Sequence, residues 1–132
     1  MNLEHPYSPA VVAGGMVYVS GALSVDSHGR PVAGRRAALD AAMDRLGERL
    51  ATVGATIDDI VRATYYVTDI SLRDEANQQY CEVFRPPRPA RTFVAVIGLP
   101  YGATVEIEAI ATAPTTSRSS TIRPPSEAAQ VR

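Results

Sequence analysis

At 132 residues the chain is long enough for one domain that buries roughly two thirds of its unfolded surface. Thirteen basic residues against fourteen acidic ones leave a formal charge of -1 with no block of like charge, which argues against nucleic acid or an anionic membrane as partner. The single cysteine, Cys81, excludes an internal disulfide, no signal-like N-terminal run is present and no apolar stretch is long enough to span a bilayer, so a reducing, cytoplasmic setting is expected.

In chain order, residues 10–12 and 16–23 read as two short strands joined tightly through Gly14-Gly15. After the turn-rich Asp26-Ser-His-Gly-Arg-Pro31, residues 34–53 place Leu39, Ala42, Met43, Leu46, Leu50 and Val53 at helical spacing, and Gly54 ends the pattern. Residues 60–69 alternate Val61, Ala63, Tyr65 and Val67 with Arg62, Thr64, Tyr66 and Thr68, a strand pattern. Ser71 with Asp74 three residues later predicts a helix start, with Leu72, Ala76, Tyr80 and Val83 on one face and Arg85-Pro-Pro-Arg-Pro89 as its stop. The order is ββαβαββ, an α+β pattern of two helices on one face of a mixed or antiparallel sheet. Residues 1–112 form the expected domain; from 113 to 132 the aperiodic Thr, Ser, Pro, Arg and Ala composition predicts an unstructured tail.

The segment from Pro89 to Ala111 is the most informative. Residues 91–97 and 105–111 read as the strands of a hairpin whose turn is centred near Gly98 to Pro100, so Arg91 lies opposite the Glu106 to Glu108 neighbourhood. A shift of the turn centre by one residue changes the partner by two, so the pattern leaves the partner of Arg91 open. An arginine facing carboxylates suggests a carboxylate-binding pocket with a base beside it. The sheet face opposite the helices then offers Phe93, Ala95, Ile97 and Ile110 beside Arg91 and Glu106, and oligomerisation with the sheets turned inward is the simplest cover.

Tyr7, Gly14-Gly-Met-Val-Tyr-Val-Ser-Gly21, Val67-Thr-Asp69, Asn77, Tyr80, Pro89-Ala-Arg91 and Val105-Glu-Ile-Glu-Ala-Ile-Ala111 together resemble the RidA/YjgF family in order and spacing. The resemblance implies a chorismate-mutase-like fold, a homotrimer with a central barrel, ligand clefts between subunits and neither metal nor organic cofactor. It also implies hydrolysis of reactive enamines and imines, such as 2-aminoacrylate, to 2-keto acids and ammonia. Carried over, Arg91 grips the substrate carboxylate, Glu106 positions the water, and Tyr7, Ser20, Gly21 and Asn77 line the cleft. The sequence departs from the better-known deaminase members in a shorter link between Phe84 and Pro89 and in Ala38 and Arg45, where glutamine and asparagine are common; Phe93 stands where those members often have cysteine and would share the pocket with Arg91, which bears on substrate size and preference.

Each residue also has a plainer role. Arg91 serves equally as an interface ion-pair residue with Glu106 as its partner, Glu108 reads as structural, and Tyr7, Ser20 and Asn77 as ordinary loop, strand or solvated helix positions. His5, His28 and Cys81 lack metal-ligand spacing. Three functions follow: an imine deaminase acting on a small carboxylate-bearing imine, a trimer that captures a keto acid without turnover, and a ribonuclease. The near-neutral charge and the absence of a basic groove speak against the last.

Overall fold

The computed structural model describes residues 5–114. Strands β1 (Ala10–Ala13) and β2 (Met16–Leu23) form an antiparallel hairpin across Gly14-Gly15. Those glycines have φ of 58° and 78°, the left-handed pair that a two-residue hairpin turn requires. Helix α1 (Arg35–Ala51), strand β3 (Ile60–Val67), helix α2 (Arg73–Val83), strand β4 (Ala90–Ala95) and strand β5 (Val105–Thr112) complete the predicted order.

The sheet order is β1-β2-β5-β3-β4, with β3 and β4 parallel and every other pair antiparallel, so the sheet is mixed. Alternation along β5 buries Val105, Ile107, Ala109 and Ala111 on the helix side. Val17, Val19, Ala63, Tyr65 and Val67 join them beneath Leu39, Ala42, Met43, Leu46 and Leu50 of α1 and Ala76 and Tyr80 of α2. At about 25 cal/mol per Å² of apolar surface removed from water, this shared face is the main source of stability.

Two expectations are corrected. The residues 91–97 strand does not pair with the last strand: β4 lies parallel to β3, and β3 separates it from β5. The crossover through α2 is the physical reason, since a helix between two strands returns the chain in the same direction. The start of the second helix also differs. Helix α2 begins at Arg73 after Leu72 with no side-chain cap; Asp69, not Ser71, caps the short 3-10 turn over Ile70–Leu72 that runs into it, its Oδ1 accepting from the Ser71 N–H at 2.9 Å.

No helix among the described residues is long and apolar enough to cross a membrane. The tail expected over 113–132 lies outside the described residues from 115 onward.

Candidate functional site

Arg91, the second residue of β4, is in register with Ala63 and therefore points to the helix side of the sheet. Its guanidinium carbon lies 5.3, 5.0 and 5.2 Å from the ring centroids of Tyr65, Tyr80 and Phe93. These ring faces hold the cation by cation–π attraction. Burial raises the phenol pKa of Tyr65 and pushes that of Tyr80 up to about 12, although the charge of Arg91 pulls both the other way, so the cage is neutral. Tyr80 is itself fixed, its hydroxyl donating to the carbonyls of Pro89 and Ala90 at 3.2 and 3.4 Å.

Asn77 on α2 presents Oδ1 to Nη2 of Arg91 at 2.6 Å. The other terminal nitrogen, Nη1, is buried with no acceptor. Among the described residues no carboxylate lies within 4.0 Å of this arginine. An unpartnered buried donor costs about 1–3 kcal/mol, and more on a charged group, so within one chain Nη1 is a donor whose need is unmet among the described residues.

Glu106 lies on the other side of the sheet, in register with Leu23 of β2 and Tyr66 of β3. Beside it β2 bulges between Val19 and Ala22, bringing in Ser20 and Gly21. A Cβ at Gly21 would collide with the Glu106 carboxylate, so glycine is what lets the carboxylate lie across β2 there. Ser20 donates its hydroxyl to the Ser8 carbonyl at 2.6 Å and its N–H to the Pro9 carbonyl, which fastens the segment carrying Tyr7. Tyr7, Ser20, Gly21, Glu106 and Glu108 line one groove of about 1230 Å³ together with Arg45, Arg49 and Tyr101.

Burial raises the Glu106 carboxyl above the ordinary glutamate value; the neighbouring Glu108 charge adds to the rise and Arg49 opposes it. Glu108 is engaged elsewhere, accepting from the Tyr66 hydroxyl at 2.7 Å, a bond that raises the Tyr66 pKa. Among the described residues no three His, Cys, Asp or Glu side chains gather as metal ligands.

The expected site residues thus fall into two groups. Arg91, Asn77 and Phe93 meet on the helix side; Tyr7, Ser20, Gly21 and Glu106 meet in the groove. The expectation that Arg91 faces Glu106 across a hairpin is overturned within one chain, because β3 stands between their strands and the two side chains leave opposite faces. Phe93 and Ala95 likewise belong to the helix side, in register with Tyr65 and Val67. Two features escaped the sequence. The aromatic cage of Tyr65 and Tyr80 was signalled by their places on the apolar sides of β3 and α2. The second is the pairing of Arg49 with Arg45, which the sequence marks only as a departure from the family pattern and which their spacing of four on α1 signalled.

Two helices on one face of a five-stranded mixed sheet, in this connection order, is the architecture of RidA-type proteins. RidA from an Antarctic Psychrobacter species superposes with a TM-score of 0.75 at 30% sequence identity, covering 84% of this chain and 91% of that one. Residues 1–113 match the family described as Endoribonuclease L-PSP, and the chain belongs to this family, the RidA/YjgF family. A human protein named 2-iminobutanoate/2-iminopropanoate deaminase is 35% identical over 108 residues, covering 80% of this chain and 79% of the relative. The protein of the same name from Bos taurus is 38% identical over 108 residues with the same coverage, 80% and 79%.

Proposed function

We propose that this chain hydrolyses reactive enamine and imine intermediates to 2-keto acids and ammonia. The observation that carries the reading is the caged Arg91, a guanidinium with a buried, unpartnered Nη1 and no carboxylate within 4.0 Å among the described residues. Its planar fork suits the substrate carboxylate bidentately. Glu106 holds the attacking water and takes its proton as the oxygen bonds to the imine carbon, and that proton passes to nitrogen; the hydroxyl of the resulting carbinolamine then gives up its proton, which Glu106 relays to the amine, so the C–N bond breaks, ammonia leaves and the carbonyl forms. The raised carboxyl of Glu106 supports this role, since it makes a stronger base than a carboxylate clamped by arginine. Most of the effect is positioning.

Because the two groups leave opposite faces of one sheet, a second copy of the chain brings its Arg91 to the first copy's groove. The reading therefore includes a homotrimer with clefts between subunits. The deaminase relatives support the chemistry, not these residue roles.

The test times keto-acid formation when an amino-acid oxidase or dehydratase releases imine in the presence of the pure protein. Acceleration over buffer is expected; none sinks the reading. Arg91→Ala is expected to weaken carboxylate binding by roughly 2–5 kcal/mol while the protein stays folded, with Arg91→Lys recovering part. Glu106→Gln separates turnover from capture: it is expected to abolish acceleration, and unchanged acceleration would remove Glu106 from the chemistry.

A further inference from the structure

Two arginines of α1 have no part in the chemistry above. Arg45 and Arg49 stand one helical turn apart, leave α1 on the same side and line the groove of Glu106. The Arg45 Nη2 donates to the carbonyls of Val25 and Asp26 at 3.3 and 3.4 Å, long contacts that aim the head without neutralising it. The guanidinium of Arg49 lies over the Tyr7 ring, 5.7 Å from its centroid.

Each of the two keeps its Nε buried with no acceptor. Among the described residues neither has a carboxylate within 4.0 Å. Among the described acids that line the groove, Asp26 is engaged by Arg30 and the backbone N–H groups of His28 and Arg30, and Glu108 by Tyr66. The Arg49 charge acts on Glu106 without a direct bond between them. One groove thus holds Glu106 and two guanidinium groups that no carboxylate pairs with among the described residues.

We infer that Arg45 and Arg49 receive a second anionic group, so that the substrate is the imine of a dicarboxylic amino acid. The inference rests on the imine-deaminase reading. Arg91 takes the carboxylate next to the imine carbon; the two α1 arginines take the carboxylate at the far end. A monocarboxylate leaves that end of the groove unfilled and its charges unmatched. The far carboxylate also neutralises Arg49, which removes the one charge that weakens Glu106 as a base, so binding of the right substrate strengthens the catalyst.

The test is calorimetric titration of the intact protein with 2-oxoglutarate and with 2-oxobutyrate, keto acids that carry two and one carboxylates. The dicarboxylate is expected to bind about 10- to 100-fold more tightly, the range of one or two charge-assisted contacts. Arg45→Gln and Arg49→Gln are each expected to shrink that ratio towards one, with Arg49→Lys intermediate. Arg91→Ala should weaken both ligands and leave their ratio standing. Equal affinities in the unaltered protein, or a ratio that survives both glutamine variants, would overturn the inference and mean that Arg49 and Glu106 balance each other through solvent. Turnover separates the two levels: hydrolysis of the alanine-derived imine without dicarboxylate preference sinks this inference alone. A preference with no hydrolysis of either imine sinks the deaminase reading and supports the anion site.

Discussion

As the proposed base, Glu106 works only when ionised, and burial makes its ionisation harder. Burial comes first among the causes, Glu108 second, with Arg49 opposing. The acid limb of kcat/KM should therefore lie above the ordinary glutamate range, with activity falling as pH drops through it because protonated Glu106 no longer takes the water's proton. Glu108→Gln removes one raising charge and should move the limb to lower pH, which a pH–rate profile of both proteins reads directly. A limb that does not move would mean Glu106 titrates independently of its neighbour. The sign for stability is the reverse of that for activity. A carboxyl raised by folding contributes stability below its unfolded pKa and loses it as pH rises through the folded value, so the working form of the site is the less stable one.

At the scale of elements, Gln79 joins three of them. Fully buried on α2, its Oε1 accepts from the Tyr65 hydroxyl of β3 at 2.8 Å and its Nε2 donates to Asp40 of α1 at 3.0 Å. Asp40 in turn accepts from Arg36 at 2.9 Å. Gln79→Leu keeps the volume and strands the Tyr65 hydroxyl, so it should cost about 1–3 kcal/mol, seen in urea as a lower midpoint at unchanged slope. Adding Tyr65→Phe should recover part of the loss; strict additivity would show that the bond is not the cause.

The apolar spacing of Leu39, Met43, Leu46 and Leu50 made α1 readable from the sequence, and the same period marks Gln79 as inward, three residues after Ala76 and beside Tyr80. Strand pairing was harder. Gly98, Pro100 and Gly102 looked like the turn of a hairpin, yet the helix between β3 and β4 already implied a parallel pair. Local turn chemistry misled where the crossover decided. The site was readable as residue types, an arginine and acids, because their chemistry is intrinsic; their distribution over two faces depended on which strand lay between, a non-local fact.

For the whole molecule, the sheet face away from the helices is uncovered in one chain. It carries Tyr18, Thr64, Tyr66, Val94 and Ile110, with Tyr18 49% and Val94 37% exposed. That surface, rather than Phe93 and Ala95, is what a neighbouring copy would cover. Joining the Arg91 patch of one copy to the Glu106 groove of the next is a head-to-tail contact, which closes as a ring when the rotation allows. Sedimentation at micromolar concentration should give a trimer; a monomer with full activity would separate the chemistry from any second copy. The strand order has a further consequence, which concerns synthesis. β5, made last, lies at the centre and pairs with β2 on one side and β3 on the other, whereas β2 and β3 do not pair with each other. Until residues 105–112 emerge, β2 and β3 lack the strand that lies between them, so neither can complete its pairing. The sheet is closed by insertion rather than by extension, a slow non-local step during which both edges are open to the wrong partner.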